Sequence, residues 1–93
     1  MIRRFKCRET SLIGEGKVSK RFPRDIQDAA RRKLRMINQS RNLKDLLIPP
    51  GNRLEQLKGS RKGQYSIRIN DQWRICFKWN EGDAYDVEVV DYH

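Results

Sequence analysis

A chain of 93 residues holds one hydrophobic core and is too short for two, so it reads as a single domain over residues 1–93. Hydrophobic residues make up 37% and charged residues 35%, which demands a compact core, and the periodic spacing of the apolar positions excludes a disordered chain. The net charge of +9 points to a polyanionic partner, and apolar runs of no more than two or three residues exclude a membrane-spanning helix and a signal peptide.

In chain order, residues 1–7 place Ile2, Phe5 and Cys7 among basic residues, a pattern for a short strand. Residues 10–17 carry Leu12 and Ile13 before Gly14 and Gly16, a helical turn broken by glycine. Pro23 opens a long helix that runs to about residue 39, with Asp25 in its first turn and no internal Gly or Pro. Ile26, Ala29, Ala30, Leu34 and Ile37 form one apolar stripe, and Arg24, Arg31, Arg32 and Arg35 occupy the other side. Asp28 and Arg32 are spaced for an ion pair. Ser40 is placed to cap a second, shorter helix with Leu43, Leu46 and Leu47, which Pro49 and Pro50 stop. Residues 53–58 read as an edge strand with Leu54 and Leu57 facing the core, and residues 59–63 as a basic, flexible loop containing Arg61 and Lys62.

Residues 64–93 alternate apolar and polar in three runs separated by turns, the pattern of three antiparallel strands each buried on one face. Tyr65, Ile67, Ile69, Trp73, Ile75, Phe77, Trp79, Tyr85, Val87 and Val89 share odd parity and form the packing face. The even face collects Ser66, Arg68, Arg74, Cys76, Lys78, Asp86, Glu88 and Tyr92 and reads as open. A hairpin turning at residues 80–83 with Trp79 opposite Tyr85 sets Arg74 opposite Val90 and makes Tyr92 its diagonal neighbour. A turn at residues 70–72 sets Arg68 opposite Arg74. By the same parity Asp91 and His93 point to the packing face if the strand runs true to its end, so for both to act beside Tyr92 the chain must bend or leave the sheet after about Val90.

Charge is unevenly divided. Residues 1–44 hold 14 Lys or Arg against 4 Asp or Glu, and residues 45–93 hold 7 against 8. Such asymmetry associates with nucleic acid. RNA carries its own nucleophile in the 2′-hydroxyl, so a ribonuclease needs a base, an acid for the leaving oxygen and a cation on the phosphate. Glu55, Asp91, Tyr92 and His93 are the available proton carriers, and Lys58, Arg68 and Arg74 the available cations. His93 is the sole histidine, which rules out a two-histidine mechanism within one chain. Cys7 and Cys76 lack CxxC spacing and a supporting His or Cys cluster, so no zinc site is expected. Their separation neither requires nor forbids a disulfide, and the chain reads as cytoplasmic with reduced thiols. A non-catalytic RNA- or ribosome-binding module is the rival reading. A DNA-binding regulator is disfavoured, because the basic helix has no partner with helix-turn-helix spacing.

Pro50-Gly51-Asn52-Arg53-Leu54-Glu55, Leu57-Lys58-Gly59, Gly63 with Ser66-Ile67-Arg68, Asn70-Asp71-Gln72-Trp73-Arg74-Ile75 and the closing Asp91-Tyr92-His93 resemble the HigB branch of the RelE toxin superfamily, plasmid-maintenance killer proteins of toxin–antitoxin pairs. The resemblance covers essentially the whole chain. It implies a RelE-like α+β fold, with two N-terminal helices packed on one face of a mainly antiparallel twisted β-sheet. The implied activity is that of an mRNA interferase: a ribosome-dependent endoribonuclease that cleaves mRNA in the decoding site, uses no metal or other cofactor, and leaves cyclic or 3′-phosphate and 5′-hydroxyl ends. The matching site residues are Lys58, Arg74, Asp91, Tyr92 and His93, with the basic N-terminal half facing ribosomal RNA. The implied partners are the ribosome, mRNA and a HigA-type helix-turn-helix antitoxin that alone contacts operator DNA. Some members carry His three residues before the Lys of Leu-Lys-Gly, where this chain has Glu55. A carboxylate serves as a base but is a poor acid near neutral pH.

Overall fold

Sixteen residues without an internal glycine or proline form the longest helix, α2 (Arg24–Gln39), entered directly from Pro23. The computed structural model describes residues 1–92. Ile26, Ala30, Leu34 and Ile37 of the expected stripe are buried, whereas Ala29 is only half-buried. Removing each large aliphatic side chain from water contributes about 1.5–3 kcal/mol. Gln27 is buried in the same face and satisfied: its amide accepts from Ser19 N at 2.9 Å and donates to the carbonyls of Ser19 (2.7 Å) and Phe22 (2.8 Å). It thereby fixes the chain entering α2. Ahead of it lies α1 (Arg8–Gly14), which starts earlier than the glycine-broken turn expected there.

Ser40 closes α2 instead of opening the next helix. Its hydroxyl donates back to Met36 O at 2.7 Å and its backbone turns extended. Residues Leu43–Leu47 form a 3-10 helix, not an α-helix, entered at Asn42, with the Asp45 carboxylate accepting from the backbone N–H of Arg41 and Asn42. Those two bonds hold the Asp45 carboxyl below its usual range. Two further 3-10 turns, Pro50–Asn52 and Gly59–Arg61, flank the short strand β1 (Glu55–Gln56).

The sheet continues through β2 (Gln64–Arg68), β3 (Trp73–Asn80) and β4 (Asp83–Asp91), in the order β1-β2-β3-β4 and antiparallel throughout. Ile67, Ile75, Phe77, Val87 and Val89 pack under the helices as their parity requires. Phe22 meets Trp73 edge-on at 5.6 Å. The expected N-terminal strand is reduced to two parallel bridges, Ile2 to Ala84 and Phe5 to Val87, which cover the outer edge of β4. The structure thus has the α+β architecture expected, with two N-terminal helices on one face of the sheet.

The β3–β4 register holds only in part. Trp73, Arg74, Ile75 and Cys76 face Asp91, Val90, Val89 and Glu88 as expected, but Trp79 faces Ala84 and Lys78 faces Tyr85. An extra residue in β4 is absorbed near Asp86, which has φ 52°. Beyond this bulge the faces exchange, so Ala84 takes the core position expected for Tyr85. The hairpin itself turns through Glu81 and Gly82, both at positive φ, as a tight two-residue turn demands.

Candidate active site

Across the β2–β3 pair Arg68 faces Arg74, an arrangement that repels unless each cation finds an acceptor. Both do. The turn that sets this register is made by Asn70, whose side-chain Oδ1 accepts from Gln72 N (2.9 Å) and Trp73 N (2.8 Å). The next residue, Asp71, takes a hydrogen bond from Arg68 Nη2.

Arg74 is held differently. It is only 9% exposed, a correction to the open face read from strand parity, on which Ser66 and Cys76 are also buried. Its Nε donates to Ser66 Oγ at 2.8 Å, and its Nη2 to the carbonyls of Arg53 at 2.6 Å and Ser66 at 3.3 Å. Glu55 completes the ring with Oε1 at 3.3 Å from Nη2. Glu55 reaches this place because β1 pairs it with Ser66. Arg53 reaches it because its backbone is left-handed, φ 45° and ψ 56°, an uncommon state for a side chain of its size. Tyr92 lies over the guanidinium, its ring centroid 5.8 Å from Arg74 Cζ, within cation–π range.

Arg53, Glu55, Arg68, Asn70, Asp71, Arg74 and Tyr92 line one open cleft of about 280 Å³. Four of the candidate residues, Glu55, Arg68, Arg74 and Tyr92, are therefore brought together. Asp91 is not in that lining. The bend or departure from the sheet that Asp91 would need to act beside Tyr92 is not made at Asp91: β4 runs on through this residue, which faces Trp73, and Tyr92 N donates to Gln72 O at 2.6 Å. Gln72 Nε2 donates to the Asp91 carboxylate at 3.2 Å. The straight strand thus sends Asp91 to the side opposite Tyr92. His93 lies outside the described residues. Lys58 is exposed and lines a separate hollow with Gln56, Leu57, Gly59 and Lys62.

Arg61, expected on a basic, flexible loop, is instead bound to the sheet. Its Nη1 donates to Glu88 at 2.8 Å and Gln64 at 3.2 Å, and the Glu88 bond raises its pKa above the ordinary value. Beside it, burial pushes the Cys76 thiol up, against the opposing pull of Arg61, so the sulfur stays protonated and is a poor nucleophile. Both cysteines are free thiols.

On α2, Arg24, Arg32 and Arg35 are exposed. Arg31 departs from the solvated face expected for it. Its guanidinium donates to Ile13 O (3.0 Å), Lys17 O (3.0 Å) and Asp28 (3.1 Å), clasping the end of α1. The ion pair of Asp28 is with Arg31 and replaces the expected one with Arg32. Among the described residues no helix is long and apolar enough to cross a membrane.

Sequence reading missed the Arg53 carbonyl, because a backbone acceptor leaves no side-chain signature. The one available signal was the Pro49-Pro50-Gly51-Asn52 turn sequence just before it.

Residues 10–93 match the family model described as the RelE-like toxin of the type II toxin–antitoxin system HigB. Toxin HigB-1 of Vibrio cholerae is 46% identical over 63 residues, an alignment spanning 68% of this chain and 66% of that toxin. Endoribonuclease HigB of Proteus vulgaris is 34% identical over 97 residues, covering the whole of both chains. Among solved structures, YafQ from E. coli superposes with TM-score 0.64 at 12% identity, covering 98% of this chain and 91% of that one. The YoeB-YefM complex from Staphylococcus aureus gives TM-score 0.61 at 16% identity, covering 100% of this chain and 98% of the matched chain. At those identities the likeness shows the fold. By the family match and the full-length relative, the chain belongs to the HigB-like family of RelE-like toxins of type II toxin–antitoxin systems.

Proposed function

We propose that this chain is a ribosome-dependent endoribonuclease that cleaves mRNA in the decoding site without a metal ion, and that a HigA-type helix-turn-helix antitoxin neutralises it. The observation that carries this reading is the fixed Arg74 guanidinium under Tyr92 in an open, polar cleft, together with the ribonuclease name of the full-length relative. Among the described residues the contacts of the guanidinium run through Nε and Nη2. Nη1 is the nitrogen assigned to a phosphate oxygen.

In the proposed reaction a base removes the proton of the RNA 2′-hydroxyl and its oxygen attacks phosphorus. The bond to the 5′-oxygen breaks, that oxygen takes a proton from an acid, and a cyclic phosphate and a 5′-hydroxyl remain. Arg74 stabilises the negative charge that grows on the phosphoryl oxygens. Glu55 is assigned as a carboxylate base beside it, and Tyr92 as the ring against which a nucleotide is positioned. Lys58 and Asp91, which stand outside the cleft lining, and His93 are kept as proposed contributors on the family motif alone. Arg24, Arg32 and Arg35, with Lys62 and Arg68, supply the positive field for ribosomal RNA and mRNA.

Cleavage of a defined mRNA on purified ribosomes, with product ends mapped, tests the proposal. Cleavage is expected only with ribosomes present, with cyclic or 3′-phosphate ends. Wild-type protein that binds ribosomes but leaves the mRNA intact would make the chain a non-catalytic ribosome-binding module. Glu55→Ala and Glu55→His measured side by side test the carboxylate. Loss on Glu55→Ala with recovery in Glu55→His is expected for a base, and equal rates in all three forms remove Glu55 from the mechanism.

A further inference from the structure

The turn that presents the Arg53 carbonyl to Arg74 is anchored to the helical layer by one side chain. Asn52 is fully buried, and both ends of its amide are used. Its Oδ1 accepts from Lys33 Nζ, and its Nδ2 donates to Leu46 O at 3.2 Å and approaches Met36 Sδ at 3.7 Å. Lys33 and Met36 belong to α2, and Leu46 to the 3-10 helix that follows it. One amide therefore ties α2, residues 43–47 and its own turn together.

The residue after this anchor is left-handed Arg53, whose carbonyl receives Arg74 Nη2 at 2.6 Å. A non-glycine residue in that conformation costs on the order of 1 kcal/mol and persists only where its surroundings impose it. Here the restraints are the Asn52 amide on one side and Arg74 on the other. Neighbouring backbone bonds, Asn52 N to Pro49 O at 2.9 Å and Arg53 N to Pro50 O at 3.1 Å, close the turn itself. They do not connect it to α2.

We infer that Asn52 is a positioning residue for Arg74: it fixes the turn at residues 50–53 and, through the Arg53 carbonyl, the placement of the guanidinium. Alanine at this position strands the half-buried Lys33 ammonium, which desolvation already disfavours, and the Leu46 carbonyl. The role assigned to Asn52 in cleavage rests on the ribonuclease reading above, but its effect on Arg74 does not.

Two measurements on the full chain test this. The ¹⁵N resonance of the Arg74 Nε–H, bonded to Ser66 Oγ, reports the guanidinium without any assay of activity. In Asn52→Ala this signal is expected to shift, and its exchange with solvent to quicken about tenfold or more. Cleavage of mRNA on ribosomes is expected to fall roughly 10- to 100-fold, with ribosome affinity unchanged. Ile13→Ala, a core truncation in α1, lowers the melting temperature but is expected to leave both readouts in place. Lys33→Met removes only the Nζ–Oδ1 bond, the stronger of the amide's two contacts with α2, and carries the same tests in a chain that keeps its core, with a smaller shift of the same kind. An unchanged Arg74 Nε–H signal in folded Asn52→Ala and Lys33→Met overturns the inference. So does an Ile13→Ala effect on that signal equal to theirs. If the wild type cleaves nothing, the ribonuclease reading fails, and the resonance still decides whether Asn52 places Arg74.

Discussion

Arginine serves two different ends in the two regions where it is concentrated. On α2, Arg24, Arg32 and Arg35 stand exposed in the part of the chain where 14 basic residues meet 4 acidic ones. There are too few carboxylates nearby to neutralise them. Around the cleft, in the part that holds 7 basic against 8 acidic residues, Arg61, Arg68 and Arg74 each have a carboxylate partner. The first arrangement yields a long-range field that salt screens. The second yields fixed geometry at Arg74, the one of the three that is buried, because a buried charge tolerates only a narrow set of contacts. Binding and chemistry are thereby separable by mutation and by ionic strength.

The largest effect is expected at Arg74. Arg74→Ala should lower cleavage on ribosomes roughly 100- to 1000-fold, and by the same factor at low and high salt. It should also lower stability by about 1–3 kcal/mol, because the carbonyls of Arg53 and Ser66 lose their donor. Arg74→Lys restores the charge but not the planar fork, so it should recover little of the rate. Near-complete recovery by lysine would reduce Arg74 to the same field role as the α2 arginines and erase the contrast. A smaller effect is expected from Arg24→Gln, Arg32→Gln and Arg35→Gln combined. Association with ribosomes should weaken about tenfold at low salt, and the deficit should shrink as salt rises. Cleavage by toxin already bound to ribosomes should be unchanged. A fall in that bound-state rate would place these arginines in the chemistry.

How much of this was legible in the sequence differs between side chain and backbone. Odd parity correctly placed Ile67, Ile75 and Phe77 in the core, and the turn residues 70–72 correctly set Arg68 against Arg74. Counting by twos then failed at the start of β4, before Val87, because the residue absorbed at Asp86 shifts the register and exchanges the faces there. The even face was read as open because its residues are polar. Ser66 and Arg74 are buried there because the loop after Pro50 supplies a carbonyl, and no side-chain pattern reports where a backbone oxygen points. Ser40 illustrates a milder ambiguity: serine suits the start of a helix, but here it returns its hydroxyl to Met36 and ends one. Lys58 and Asp91 were grouped with Arg74 by the family motif, whereas the strand geometry sends Asp91 to the other face and Lys58 to a neighbouring hollow.

A third charged group, at the far end of the β3–β4 ladder, lies between the two extremes and should show the smallest effect. Asp86 bridges Arg4 at 2.6 Å and Lys78 at 3.4 Å, and both cations are more than half exposed. The Arg4 hydrogen bond, joined by Lys78, holds the Asp86 carboxyl below its usual range. A carboxyl whose folded pKa is depressed adds stability above its unfolded value, about 3.9, and loses it as pH falls through the folded one. Asp86→Asn removes the charge while keeping a residue that tolerates the positive φ of the bulge, so backbone strain does not confuse the comparison. The variant should be less stable than wild type by under about 1 kcal/mol near neutral pH. That difference should hold down to about pH 5 and close below about pH 4 as the wild-type carboxyl protonates. Denaturant melts at several pH values measure it. A difference that persists unchanged into acid would mean that Asp86 acts through the shape of the bulge and not through its charge, and the far end of the ladder would then belong with the geometric region of the cleft.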